Sequence, residues 1–197
     1  MICYKEVNLP TIPAELLVFN KEPDKFVKDI GYGLEHFKDG RKLNACAYIN
    51  TAIRDNPLRT WIENNIPGVN NDSKVLLQRS KAFDAESTHI VHLDIGRVFA
   101  LNYFLDLGGD NVLTSWYQEK NMPVHRVKTE RGKQADTGQV KYDDLTVLAT
   151  TKFELHKWYL LSTDMLHDVD HITGNRASIT VSFNDRSILE KLGIQDV

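Results

Sequence analysis

The sequence predicts an antiparallel β-sandwich or barrel, with helices from its N-terminal part over one outer face. Three observations predict it. Side-chain polarity alternates with a period of two from about residue 74 onward, Gly/Asn/Asp turn signals punctuate the alternation, and no helical stretch separates the strand-like runs. With 197 residues and 42% apolar content the chain is long enough for one sizeable core, and it carries no repeat, low-complexity tract or Gly/Ser linker. A single domain over 1–197 is expected, with 1–73 as helical or mixed support and 74–184 as the β core.

In chain order, Pro13-Ala14-Glu15-Leu16-Leu17 reads as a short helix with proline in its first turn, and Asn56 reads as the cap of a second over Pro57–Glu63. Ile90–Ile95 is strand-like: Ile90, His92 and Asp94 share one face, and Val91, Leu93 and Ile95 the other. Val98–Asp106, Val112–Gln118, Asp144–Phe153, Lys157–Thr163 and Arg176–Phe183 follow as further strands. Gly108-Gly109-Asp110-Asn111 and Thr173-Gly174-Asn175 are turns between them. In the last strand Ala177, Ile179, Val181 and Phe183 form an apolar face suited to lie beneath helices, while Arg176, Ser178, Thr180 and Ser182 form a polar face suited to line an interior. The piece Glu119–Asp144 breaks the spacing. Lys120, Arg126, Lys128, Arg131 and Lys133 stand there against Glu130 alone, a basic excursion that reads as a solvated loop or as a lid for an anionic substrate.

Composition narrows the function classes. A net charge of −3 and a pI near 6.2 give no broad positive field, so there is no strong nucleic-acid signature. No apolar run approaches a membrane span, and no basic region followed by an apolar stretch marks the N-terminus. Cys3 and Cys46 form neither a metal-type pair nor a disulfide framework, so a reducing cytoplasm is the expected compartment.

The chemistry concentrates in two places. His92-Leu93-Asp94 offers an imidazole and a carboxylate on one side of a strand, able to chelate one ion. A His-x-Asp triplet arises by chance about 0.6 times in such a chain, so alone it decides nothing. In LHDVDHITGNRAS, His167 stands in a segment without clear periodicity, Arg176 follows nine residues later, and Ser178 takes the same face as Arg176. An arginine-x-serine at that offset from a histidine is expected only about 0.04 times. Two neutral imidazoles and one carboxylate leave about half of an octahedral Fe(II) shell open, as needed if a cosubstrate and O₂ both bind. An arginine beside a serine hydroxyl is a receptor for a carboxylate. Together these residues describe an iron centre and a site for a dicarboxylic acid.

The order His92-x-Asp94, His167, Arg176-x-Ser178 resembles the signature of the Fe(II)- and 2-oxoglutarate-dependent oxygenases. HLDIGRVFALNYFLDL (92–107) with LTSWYQ (113–118) is similar to small bacterial and phage members, and the likeness covers about residues 74–184. The resemblance implies a double-stranded β-helix, a jelly-roll barrel of cupin-like form. It implies Fe(II) held by His92, Asp94 and His167, and 2-oxoglutarate held by Arg176 with Ser178. Asn102, ten residues after His92 and sharing parity with Ala100 and Phe104, is implied to reach the cosubstrate or to be a hydrogen-bonded interior residue. The activity implied is hydroxylation of a substrate, or a related oxidation such as demethylation, with 2-oxoglutarate and O₂ consumed and succinate and CO₂ released. Rival readings are a non-catalytic jelly-roll module, a metal-dependent cupin enzyme that does not use 2-oxoglutarate, or a zinc hydrolase. His171 is too close to Arg176 for the usual spacing and reads as a bystander. Arg97 reads as a salt-bridge partner, and Trp116 and Tyr117 as facing opposite ways. His36, His89, His125 and His156 read as surface or core residues.

Overall fold

The structure is a computed structural model that describes residues 2–19, 27–28, 36–82, 86–94, 96–120, 126–129, 132–135 and 140–195, with 27–28, 126–129 and 132–135 as backbone alone. It is mainly β. The chain runs β1 (Tyr4–Val7), β2 (Val27–Lys28), β3 (Phe37–Lys38), β4 (Arg41–Lys42), β5 (Ala47–Ala52), α1 (Pro57–Asn65), β6 (Lys74–Lys81), β7 (Ser87–His92) and β8 (Phe99–Leu107). It continues through β9 (Leu113–Glu119), β10 (Arg126–Thr129), β11 (Gly132–Ala135), β12 (Leu145–Thr151), β13 (Trp158–Ser162), β14 (Leu166–Ile172), β15 (Asn175–Phe183) and α2 (Ser187–Lys191).

Two antiparallel sheets carry the fold, a seven-stranded one in the order β1-β13-β8-β15-β6-β5-β2 and a four-stranded one in the order β12-β9-β14-β7. The alternation read in the sequence decides what each face meets. In β8, Phe99, Leu101 and Tyr103 are buried with Val75, Leu77, Ile179 and Val181 of neighbouring strands, under Leu58 and Ile62 of α1 and Ile188 and Leu189 of α2. The opposite face of the sheet turns Phe104, with Tyr159 and Leu161, toward Trp116 of the four-stranded sheet. Trp116 Nε1 donates to the Ser162 carbonyl at 2.9 Å, tying the sheets together inside. Helix α1 begins as the sequence predicts: Asn56 Oδ1 accepts from the Arg59 backbone N–H at 2.9 Å, and Pro57 occupies the first turn.

Three expectations change. The N-terminal part is less helical than read: Ala14–Leu16 is one 3-10 turn, and β1 and β5 extend the seven-stranded sheet, so the helical cover is shared between α1 and the C-terminal α2. By contrast, the alternation read from about residue 74 is met at once by β6, a full strand pairing with both β5 and β15. His167 lies in a regular strand, β14, rather than an irregular segment. The strand reads poorly in sequence because its outward Asp168 and Asp170 are held by Lys38, Arg41 and Thr88 rather than by apolar packing. Finally β7 ends at His92, so Asp94 stands just beyond the strand, where its backbone N–H donates to the Thr163 carbonyl at 3.0 Å. Of the basic excursion, the hairpin β10–β11 is placed by backbone; Arg131 and His125 lie outside the described residues.

Candidate metal centre and anion site

Strands β7 and β14 are antiparallel neighbours, and His92 lies directly opposite His167. The rings are 4.4 Å apart between centroids. Each imidazole donates from Nδ1 to a carbonyl two residues upstream: His92 to Ile90 at 2.7 Å, His167 to Met165 at 2.9 Å. A carbonyl only accepts, so in each neutral ring the proton sits on Nδ1 and Nε2 carries a free lone pair. Both Nε2 atoms face Asp94, His92 at 3.8 Å from Oδ1 and His167 at 3.8 Å from Oδ2. Those distances are too long for hydrogen bonds, and the three ligand atoms lie within 4.8 Å of one another, as a shared ion requires.

Arg97 donates to Asp94 Oδ2 from Nε at 2.8 Å and pairs with it through Nη2 at 2.6 Å. Burial would raise the Asp94 carboxyl, but the Arg97 guanidinium prevails and holds it at about 2. Burial, reinforced by His92, lowers His167 to about 4. At neutral pH Asp94 is therefore ionised and His167 neutral, the states in which each can donate a lone pair to a cation.

A candidate anion site lies on the facing sheet. Arg176 lies across β15–β6 from Ser80, its guanidinium 4.7 Å over the Phe104 ring, with Nη1 donating to the Leu107 carbonyl at 3.1 Å. No carboxylate pairs with it among the described residues, and burial lowers it to about 10, a range in which it stays charged. Ser178 is buried on the same face, its hydroxyl 3.2 Å from that of Thr180, which in turn donates to Gln78 Oε1 at 2.7 Å. Asn102 faces inward opposite Thr180; it is 8% exposed, and its Oδ1 has no partner among the described residues. Among the described residues, the interior thus holds a guanidinium that no carboxylate contacts and an amide oxygen without a donor.

Trp116 and Tyr117 do face opposite ways. Trp116 is the cross-strand neighbour of His167, whereas Tyr117 points outward and donates to Asp168 at 2.9 Å. His171 turns away from the triad to Glu86 at 3.1 Å. Glu86, Asp170 and His171 form a second group with converging ligand atoms, but Arg41 pairs with both carboxylates and Lys38 with Asp170, so that group is an ion-pair network. Sequence reasoning missed His89. Its Nε2 lies 2.6 Å from the Ser80 hydroxyl and its ring 6.4 Å from that of His92. Strict alternation puts residues 89 and 92 on opposite faces, and the register shift in the β7–β14 pairing brings both inward. A bulge leaves no mark in hydropathy, so only its neighbours on β6 could have revealed it.

Compared with known proteins, the chain matches no protein-family model and no curated protein.

Proposed function

We propose that the chain is an Fe(II)- and 2-oxoglutarate-dependent dioxygenase on a double-stranded β-helix, hydroxylating its substrate with release of succinate and CO₂. The observation that carries this reading is the pairing of two sites between the sheets. The lone pairs of His92 and His167 converge with the Asp94 carboxylate at one sheet, while Arg176 on the other has no carboxylate at ion-pair distance among the described residues. A partly buried guanidinium that no carboxylate contacts among the described residues is costly to desolvate and is eased by an anion, which favours a binding role over a purely structural one. The strand order supports the barrel. Setting aside β10–β11 and counting from β6 as the first strand, the sheets run 6-3-8-1 and 5-4-7-2, the pairing expected of a jelly roll.

Iron with 2-oxoglutarate and O₂ supplies the oxidising chemistry. The chain's own residues bind and orient. His92, Asp94 and His167 would hold the metal; Arg176 and Ser178 would grip the far carboxylate of the cosubstrate, with Asn102 as a further polar contact. Phe104 and Trp116 pack the interior beside them and keep water out. Arg97, fixed on Asp94 Oδ2, orients that carboxylate.

Anaerobic addition of Fe(II) and then 2-oxoglutarate is expected to give a weak visible charge-transfer band, and aerobic addition a slow substrate-free turnover of 2-oxoglutarate. Asp94→Ala and His167→Ala should lose both along with iron binding. Retention of iron and turnover by either variant overturns the ligand assignment; absence of the band in folded wild-type protein favours a metal enzyme without 2-oxoglutarate or a binding module.

A further inference from the structure

His89 is an interior group that the proposed function leaves without a role. It stands on β7, three residues before His92, and reaches across to Ser80 on β6. Ser80 is the cross-strand neighbour of Arg176 on one side and of Tyr48 on the other. The His89 ring is therefore placed between the metal triad and the arginine, with the Tyr48 ring 6.3 Å beyond it. Its electrostatic neighbours include members of both sites: His92, Asp94 and His167 on one side and Arg176 on the other.

The contact with Ser80 uses one ring nitrogen; Nδ1 has no hydrogen-bond partner among the described residues. A tie between two sheets needs only one such bond, and an apolar pair would make it without desolvating an imidazole. If the Ser80 hydroxyl donates to Nε2, the proton of the neutral ring is on Nδ1, and that N–H is a donor free to meet an acceptor.

We propose that His89, aligned by Ser80, is a further binding residue of this site: a neutral hydrogen-bond donor to the dicarboxylate between the metal ligands and Arg176. This rests on reading the site as a receptor for 2-oxoglutarate. The role differs from that of Arg176, because a neutral donor fixes orientation with little dependence on salt.

The test uses the full chain loaded with Mn(II), which binds without turnover, and measures the Kd of Mn(II) alone and then of 2-oxoglutarate by calorimetry. His89→Leu is expected to weaken 2-oxoglutarate about tenfold, the loss of one hydrogen bond to a charged acceptor, and to leave the Mn(II) Kd within about twofold. His89→Asn, whose side-chain amide can donate from near the position of Nδ1, should recover most of that affinity. A merely structural tie would lower the Tm of both variants and leave the 2-oxoglutarate Kd unchanged. Wild-type affinity in His89→Leu overturns the proposal. If His89→Leu does not fold, Ser80→Ala decides: about threefold weaker 2-oxoglutarate binding supports the role, and unchanged binding overturns it. Wild-type protein that binds Mn(II) but no 2-oxoglutarate overturns the proposed function itself, whereas tight binding by wild type and both variants alike overturns only the assignment of His89.

Discussion

Arg176 is hard to explain by folding alone. Its guanidinium rests on the Phe104 ring and donates to one backbone carbonyl; no carboxylate reaches ion-pair distance among the described residues, and Asp106 acts on it only from further away. Arg176→Met is therefore expected to leave the ligand-free protein as stable as wild type, or about 1 kcal/mol more stable in urea melts, while abolishing 2-oxoglutarate binding. Arg176→Lys keeps the charge but loses the planar fork, and should retain weak binding. His89 makes a pH prediction. Its folded-state value, about 3, lies below the roughly 6.5 of an unfolded histidine, so the unfolded chain takes up the proton first as pH falls. Its contribution to stability is complete above about pH 6.5 and is lost progressively toward pH 3. Between pH 7 and pH 5 the metal-free protein should lose roughly 1–2 kcal/mol through this group, and His89→Asn should flatten that part of the profile. The triad was legible as residue types at a spacing, because ligand chemistry restricts which side chains serve. His89 was not, since a lone histidine has many uses and its partner Ser80 is distant from any motif.

At the level of elements, the turns that hold the site are as specific as the strands. Gly108, with φ +85°, ends β8 against the β14–β15 turn, and its carbonyl accepts from the Thr173 and Gly174 N–H groups at 2.8 and 2.9 Å. A Cβ there would approach the Arg176 Cβ to 3.0 Å and the Ile172 Cγ2 to 3.1 Å. Gly108→Ala combines a left-handed backbone with that crowding, so about 1–3 kcal/mol of destabilisation is expected, with a raised 2-oxoglutarate Kd because Arg176 must shift. Asn56→Ala is a useful contrast. It removes the cap of α1, outside the sheets, and should cost about 1 kcal/mol in thermal or urea unfolding with no change in Mn(II) affinity. Strands β8, β9, β13 and β15 were legible because each buries at least one apolar face. In β14 that signal is missing: LHDVDHI alternates Leu166, Asp168 and Asp170 on the outer face with His167 and Val169 on the inner, and distant partners hold the two aspartates. For β7 alternation predicted a strand but misplaced its end and its inward residues, because the bulge lies within it.

Across the whole molecule, the N-terminal part does more than cover a face. The β3–β4 hairpin lies on the outer side of the four-stranded sheet, where the Lys38 ammonium is 2.9 Å from the fully buried Asp168 carboxylate and 5.4 Å from the centre of the Tyr142 ring. Burial alone would lower the Lys38 ammonium, but Asp168 keeps it raised above its ordinary value. Lys38→Met should therefore destabilise the protein by about 3 kcal/mol in urea unfolding, by leaving the Asp168 carboxylate buried without its cation, and Asp168→Leu in the same chain should recover part of that loss. This clamp sits on the strand that carries His167, so the same substitutions are expected to weaken metal binding as well. By itself the sequence determined the mainly β character, the α1 cap and the set of polar residues that converge, because alternation, capping and ligand chemistry are local or compositional. The tertiary structure alone decided that β1 and β5 widen the larger sheet, that Asp168 and Asp170 are held by the Lys38 and Arg41 clamp, and that His89 turns inward beside the triad. Each depends on which strands become neighbours and in what register, and pairing between distant segments leaves no periodic trace in either partner.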